Sequence, residues 1–208
     1  MDAQAAERGF LLAELASLGG PALAFQLRDP SLHGRAIYDA AVTLRSRIGS
    51  GASFLVNDRV DVALAVGADG VHLKASSLPP HDVRGIVGSH FLVGRSVHDL
   101  TEVDRWAGAA PSSADYLVLG SVAPTASHPG RPPLPTDSVR LAPARSCVPV
   151  LAIGGVTPDG LSDLCALGYH GAAVLSGIWG ATDPLEALSA YLQVLSRHRS
   201  SWNRDGDD

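Results

Sequence analysis

The chain has 208 residues, of which 46% are hydrophobic and 18% are charged, and its formal net charge is −5. This composition predicts a globular protein with a sizeable core, and an acidic balance without basic runs disfavours nucleic acid as a partner. The sequence has no run of about 18 apolar residues, no signal peptide at its start and no CxxC motif. We therefore expect a cytoplasmic protein without a membrane partner, with Cys147 and Cys165 both in the core.

Segments with helical apolar spacing alternate with short apolar runs along the whole chain. In chain order, the sequence predicts helix 5–18, strand 22–27, helix 36–48, strand 53–56, helix 59–66, strand 70–73, helix 80–87, strand 91–93, helix 100–107, strand 116–119, helix 136–144, strand 148–153, helix 158–167, strand 172–175 and helix 184–197.

Strands that alternate with helices predict βα units, a parallel sheet and right-handed crossovers. Seven strands and eight helices predict an α/β fold, a TIM-type (β/α)₈ barrel whose first strand is missing or replaced, because a doubly wound sheet usually has fewer strands. We predict one barrel domain over residues 1–199 and a polar tail over residues 200–208. A strand edge beside residues 22–27 would then be open, and we expect the first helix or the second subunit of a homodimer to cover it.

Two glycine-containing loops follow the last two predicted strands. Gly154-Gly155 ends the strand in VPVLAIGGVTPDG, Thr157 is typical of a helix N-cap, and Ser176-Gly177 ends the final strand. In barrels the loops at these two places often hold a phosphate through backbone N–H groups. We therefore predict that the N–H groups of Gly154, Gly155, Ser176 and Gly177 bind phosphate. The alternative is that the glycines serve only tight turns.

Seven stretches follow one another from residue 22 onward in an order known from a protein family: QLRD (26–29), LVNDRVDVALAVGADGVHL (55–73), VGRSVHDL (93–100), ADYLVLGSV (114–122), PTASHPG (124–130), VPVLAIGGVTPD (148–159) and AAVLSGI (172–178). Taken in this order, they resemble the thiamine phosphate synthase/thiazole tautomerase superfamily. The resemblance implies a (β/α)₈ barrel that acts on a small-molecule thiazole phosphate in thiamine biosynthesis, which agrees with the predicted phosphate site.

One branch of the superfamily, the synthase, joins a pyrimidine methyl pyrophosphate to a thiazole phosphate and releases pyrophosphate. The charge of the leaving group requires Mg²⁺ held by carboxylates, together with cationic donors. For this branch the resemblance implies Mg²⁺ on Asp58. For either branch, the resemblance implies a set of substrate-binding residues, which are Gln26, Arg28, Asn57, Ser96 and Thr125.

The chain departs from the synthase pattern at three places. Pro30 replaces the Lys of QLREK, and residues 74–77 contain no carboxylate where the second metal-binding Asp is expected. His128 stands where the pattern PTxTK has Lys. One metal carboxylate and two cations are therefore missing, and an alternative role for Asp58 is to cap the helix that starts at Arg59.

The other branch, the tautomerase, moves a proton to make a thiazole aromatic and needs neither a metal nor another cofactor. Because GRSVH and the carboxylate-free residues 74–77 resemble this branch, the main interpretation is a metal-independent tautomerase-like isomerase. The alternatives are the Mg²⁺-dependent synthase and a non-catalytic binder of thiazole phosphate.

The identity of the tautomerase base stays open at this point. The His of the tautomerase tetrad GHVF is replaced by Ser121. His128 is our first candidate for proton transfer, with Ser121 as a relay, and His98 and His72 follow because they also lie near strand carboxyl ends. Lys74 either carries charge near the site or is simply solvated.

Overall fold

The computed structural model of the protein describes residues 3–107, 114–125, 130 and 132–202. Helices and strands alternate along these residues in the order α1 Ala3–Gly19, β1 Ala24–Leu27, α2 Arg35–Ile48, β2 Ser53–Asn57, α3 Val60–Ala65, β3 Gly70–Leu73, α4 Pro80–Val87, β4 Leu92–Val97, α5 Leu100–Trp106, β5 Tyr116–Gly120, α6 Thr136–Leu141, β6 Val150–Ile153, α7 Pro158–Ala166, β7 Gly171–Ala173, α8 Ser176–Trp179 and α9 Pro184–Trp202. Over this part of the chain, no helix is both long and apolar enough to cross a membrane.

The strands form a parallel sheet in which spatial order follows chain order, from β1 to β7. Strand β2 pairs in parallel with β1 and β3, and β6 pairs in parallel with β5 and β7. The predicted TIM-type fold is confirmed, and the described residues form seven strands with helices between them. Within the described residues no strand precedes β1, so the expectation of a missing first strand also holds there.

The contacts between Cα atoms divide the chain into two compact units, residues 1–94 and residues 95–208. The prediction of one domain over residues 1–199 with a separate tail stays a prediction. In the first unit, the core is formed by β2, β3 and the helices that flank them, around the fully buried Phe54, Val56 and Val71. Strand β1 differs, because Phe25 and Leu27 pack against this core while Ala24 and Gln26 are exposed.

The second unit has its own core between β5, β6 and helices α7 and α9. Leu117, Leu119 and Ala152 are fully buried there, and Cys165 is also buried, as predicted. The expectation that Cys147 lies in the core is wrong, because this residue is exposed in the segment that leads into β6.

Several element boundaries differ from the sequence-based prediction for local reasons. The first strand begins at Ala24 because Gly20–Ala22, with proline at its centre, forms a 3₁₀ turn. Helix α6 ends at Leu141, just before a 3₁₀ turn over Pro143–Arg145, since proline cannot donate the backbone hydrogen bond that would continue the helix. Helix α8 was not among the predicted elements, because four residues are too few to show an apolar period.

Gly70 at the start of β3 tests how closely the first unit is packed. An alanine Cβ at this position would lie 2.5 Å from the backbone oxygen of Leu92, so Gly70→Ala should lower the free energy of unfolding by about 1–3 kcal/mol. The matched control is Gly85→Ala in α4, where a Cβ meets no atom within 4 Å and should raise stability by about 0.5–1 kcal/mol. Urea unfolding of both variants checks the prediction, and equal effects of the two substitutions would contradict it.

Candidate active site

The carboxyl ends of β1 and β2 carry the polar residues that the sequence assigned to substrate binding. Gln26 lies in β1 and donates from Nε2 to Oδ1 of Asn57, the last residue of β2, over 3.0 Å. Arg28 follows β1 directly and is exposed. Parallel pairing brings the ends of neighbouring strands to one edge of the sheet, so Gln26 and Asn57 present one continuous polar surface.

Asp58 is the centre of a second group of polar side chains in the first unit. Its backbone is in the left-handed region, with φ 64°, and its N–H donates to the carbonyl of His72 over 2.9 Å. The Asp58 carboxylate accepts hydrogen bonds from the Ser77 hydroxyl and from the Lys74 ammonium, whose Nζ lies 2.5 Å from Oδ2. Asp58 therefore does not cap the following helix, and that alternative was wrong: the N-cap position of α3 is Arg59, without a side-chain cap bond.

These contacts set the ionisation of Asp58. Burial opposes ionisation of the carboxyl group, but the hydrogen bonds from Lys74 and Ser77 and the charge of Lys74 outweigh it, so the pKa of Asp58 lies below its usual value of 3.8. Asp58 is therefore a carboxylate, and Lys74 is the cation paired with it. We refer to Asp58, Lys74 and Ser77 below as the lysine cluster.

The lysine cluster faces an open cavity of about 360 Å³. Ser76 adds a further hydroxyl to the polar lining. The remaining lining is apolar and comes from Val60, Leu73, Leu78 and Val83. A charged group that enters this cavity would meet Lys74 and Asp58 beside an apolar wall, where electrostatic interactions are stronger than in bulk water.

In the second unit, Gly154 and Gly155 are required first by packing. Both have positive φ, 93° and 66°, and an added Cβ would lie 2.6 Å from the Cβ of Ser121 at Gly154 and 2.3 Å from the Pro124 oxygen at Gly155. The backbone N–H of Ala123 donates to the Gly154 carbonyl over 3.1 Å. The loop after β6 thus lies directly against the loop after β5, which is more than the tight turn considered from sequence.

Tyr191 of helix α9 lies between the loop that contains Gly154 and Gly155 and the N-terminus of α8. The buried Tyr191 donates from its hydroxyl to the Val156 carbonyl over 2.9 Å, and the same hydroxyl lies 2.6 Å from where a Cβ of Gly177 would be. The side chain of Tyr191 therefore lies next to both loops. Within the described part of the chain, the N–H groups of Gly154, Gly155, Ser176 and Gly177 donate no hydrogen bond to another residue.

Two of the proposed proton-transfer residues also lie in the second unit. The half-buried Ser121 is beside Gly154. The Nδ1 atom of His98 lies 2.8 Å from the carbonyl oxygen of Gly120. Because a carbonyl oxygen only accepts, Nδ1 is the donor of this hydrogen bond.

The other proposed site residues have different positions. His72 is buried in β3, with 5% of its surface exposed, and Ser96 is half-buried in β4. Thr125 follows Pro124 in the loop after β5. His128, our first candidate for the tautomerase base, lies outside the described residues.

Comparison with known proteins decides the family. A family model described as thiamine monophosphate synthase matches residues 2–178. The chain belongs to this family. The thiamine-phosphate synthase of Methanoculleus marisnigri is 42% identical over 177 residues, which cover 83% of this chain and 81% of that protein. The one from Laribacter hongkongensis is 39% identical over 193 residues, covering 91% and 89%. The solved thiamine phosphate pyrophosphorylase from Pyrococcus furiosus is similar at a TM-score of 0.75 and 33% identity, with 89% of each chain covered.

The Mg²⁺ ion that resemblance to the synthase implies does not fit the side chains around Asp58. Mg²⁺ requires near-octahedral oxygen ligands and is usually held by one or two carboxylates. Here the Asp58 carboxylate is already bonded to the Lys74 ammonium, and Ser77 stands where the resemblance implies a second carboxylate. In the described ranges no three His, Cys, Asp or Glu side chains are grouped so that they could hold a metal ion. The side chains around Asp58 therefore do not form a Mg²⁺ site in this family member.

Two features of this family member were missed by sequence reasoning. The pairing of Lys74 with Asp58 depends on the register of β2 and β3, in which Asn57 lies opposite His72. Asp58 then falls level with Leu73, and Lys74 is the next residue along the chain. That register could have been anticipated from the two apolar runs. No local sequence pattern indicated the role of Tyr191, since that role depends on the place where α9 packs.

The Asp58–Lys74 pair should make stability depend on pH. A depressed pKa in the folded state contributes stability above the unfolded value of 3.8, and that contribution is lost as the pH falls through the folded pKa. Asp58→Asn, which tolerates the same backbone conformation, should therefore cost about 1–3 kcal/mol at pH 7, and the cost should shrink towards pH 3.

Chemical unfolding at several pH values measures this dependence. Asp61→Asn is the matched control, because the Asp61 side chain is 68% exposed against 25% for Asp58, and its pair with Arg59 should contribute about 1 kcal/mol or less. A cost of Asp58→Asn that is constant from pH 7 to pH 3 would show that the ion pair does not stabilise the fold.

Tyr191→Phe should loosen both loops that the hydroxyl holds together. We expect faster amide hydrogen exchange at residues 154–156 and 176–178, since a net hydrogen bond contributes about 1 kcal/mol. Tyr169→Phe is the control, because that buried hydroxyl donates to Val139 over 2.8 Å instead and should leave these two loops unchanged. Unchanged exchange in Tyr191→Phe would rule out this role of the hydroxyl.

Proposed function

We propose that this protein is a transferase that joins a pyrimidine methyl pyrophosphate to a thiazole phosphate and releases pyrophosphate. The main support is that its relatives over most of the chain are named thiamine-phosphate synthase. The observation in the structure that carries the proposal is the set of four N–H groups on two loops that Tyr191 connects.

These four N–H groups are suited to the phosphate of the thiazole. Neutral backbone donors at a loop and at a helix start bind an anion without requiring a lysine or arginine. Ser121, next to Gly154, adds a hydroxyl close to the same loop. We assign this part of the second unit to the thiazole phosphate.

The first unit supplies groups suited to the pyrimidine substrate. The amides of Gln26 and Asn57 are joined by a hydrogen bond and still offer donors and acceptors to a heteroaromatic ring. In the reaction, the lone pair of the thiazole nitrogen forms the new C–N bond as the C–O bond to pyrophosphate breaks. The pyrophosphate leaves with that electron pair, no proton moves, and Arg28 is a cation available to the departing charge.

The isomerase that was our main interpretation of the sequence has weaker support. Its expected histidine is Ser121 in this chain, and His128 lies outside the described residues. The names of the relatives point to transfer instead. Isomerisation therefore remains an outcome that the experiment below can detect.

The experiment uses the full chain with both substrates and follows thiamine phosphate and pyrophosphate by mass spectrometry. We expect both products in equal amounts. Ser176→Asp places a negative charge at the N–H groups of α8 and should raise the KM for thiazole phosphate by about tenfold or more, because like charges repel at close range. Ser176→Asn, of nearly the same size and neutral, should change KM much less.

Each alternative result has a defined meaning. Binding of thiazole phosphate without either product would support a non-catalytic binder. Conversion of a thiazole carboxylate phosphate to its isomer, without transfer, would support the tautomerase. Equal KM values for Ser176→Asp and Ser176→Asn would show that α8 is not part of the phosphate site.

A further inference from the structure

We infer that the Lys74 ammonium takes the place of the Mg²⁺ ion implied by the synthase resemblance, so that the lysine cluster binds the pyrophosphate group of the substrate without a metal. This inference rests on the proposed function, whose pyrimidine substrate carries the pyrophosphate. It follows from the misfit between Mg²⁺ and the side chains around Asp58.

The geometry places a cation where a metal would need to be. The Lys74 Nζ lies 2.5 Å from Oδ2 of Asp58, and the Ser77 hydroxyl bonds the same carboxylate. Each oxygen of Asp58 thus already accepts a hydrogen bond, and a metal ion on this carboxylate would lie beside the positive charge of Lys74. An ammonium has three donors, so after the bond to Asp58 two remain for an anion in the cavity of about 360 Å³ that Lys74 lines.

The backbone holds the ammonium at this position. The N–H of Lys74 donates to the Ser77 hydroxyl over 3.1 Å, and the N–H of Ser77 donates to the Lys74 carbonyl over 3.0 Å. The left-handed conformation of Asp58 and its bond to the His72 carbonyl fix the carboxylate from the other strand. The lysine cluster is thus held by bonds from the ends of both β2 and β3, and it lines the cavity.

The charge of the site is the same in both arrangements. A Mg²⁺ ion on two carboxylates is neutral, and so is one ammonium on one carboxylate. A lysine added beside two carboxylates, or a carboxylate lost while Mg²⁺ stays, would leave a net charge at the site. Lys74 and Ser77 therefore act as a matched pair of changes.

The sequence contains a second, independent sign that the ammonium is specific. Lys74 is the only lysine among the 16 lysine and arginine residues of the chain. Elsewhere the positive charges are guanidinium groups, which are planar and bind anions through a fixed fork, whereas an ammonium is a compact point charge. A compact charge is the nearer substitute for a small metal ion.

The first test measures binding of inorganic pyrophosphate to the full chain by calorimetry, in EDTA and then in Mg²⁺. We expect the wild type to bind in EDTA. Lys74→Met, which keeps the apolar stem, should bind about 10- to 100-fold more weakly, the loss expected for a charge-assisted hydrogen bond. Arg35→Met removes one positive charge from an exposed pair in the same unit and should change the affinity little.

The second test uses the single lysine directly. An amine-acylating reagent followed by mass spectrometry of peptides measures the reactivity of Lys74, and pyrophosphate in EDTA should protect it, while the N-terminal amine is unaffected. In a third arm, Mn²⁺ as a paramagnetic substitute for Mg²⁺ should not bind the wild type. It should bind the Lys74→Gly/Ser77→Asp variant, in which the ammonium is removed and a second carboxylate faces Asp58.

The results that overturn the inference are distinct from those that overturn the proposed function. Wild-type binding of pyrophosphate that requires Mg²⁺, or acylation of Lys74 that pyrophosphate does not slow, refutes the metal substitution and leaves the transferase proposal intact. Metal-free binding of pyrophosphate with protection of Lys74, but without any thiamine phosphate from the two substrates, refutes the transferase proposal and leaves the lysine cluster as a pyrophosphate site.

Discussion

Parallel pairing of strands is the constraint on which the rest of this structure depends. When every strand runs the same way and a helix returns the chain between strands, the carboxyl ends of neighbouring strands meet at one edge. Asn57 and Asp58 at the end of β2 are thereby brought beside Gln26 of β1 and Lys74 beyond β3. The same rule brings the loops after β5, β6 and β7 together in the second unit.

Under the proposed function, the two units would recognise anions in different ways. The second unit offers neutral backbone N–H groups, whose positions are set by close packing of glycines on the loop after β5 and by the hydroxyl of Tyr191. The first unit offers an ammonium that is already paired with a carboxylate. A phosphate that is kept through the reaction suits fixed neutral donors, whereas a pyrophosphate that must leave needs a compact positive charge.

Membership of a synthase family and the lack of a second carboxylate beside Asp58 among the described residues conflict only if a metal is the sole way to supply positive charge. The inferred substitution would remove the conflict, because an ammonium paired with one carboxylate keeps the site neutral, as a metal ion on two carboxylates would. Gly154 and Gly155 have a packing role, because their lack of side chains permits the close approach of the loop after β5. In the described part of the chain their N–H groups also donate no hydrogen bond to another residue.

The sequence by itself determined the fold class, nearly all of the elements and the family. Apolar runs such as 53–56 and 70–73, helical spacing between them, and capping residues such as Thr157, whose hydroxyl accepts from the Gly160 N–H, are local signals and survive without knowledge of the neighbours. Only the tertiary structure decided which polar groups meet. The sequence did not decide the role of Lys74, because a lysine is solvated or paired according to what lies opposite it. It gave no indication of the role of Tyr191, because the neighbours Val156 and Gly177 lie on other elements. The register of β2 on β3 and the position of α9 supply that information, since both are set by packing between distant segments of the chain.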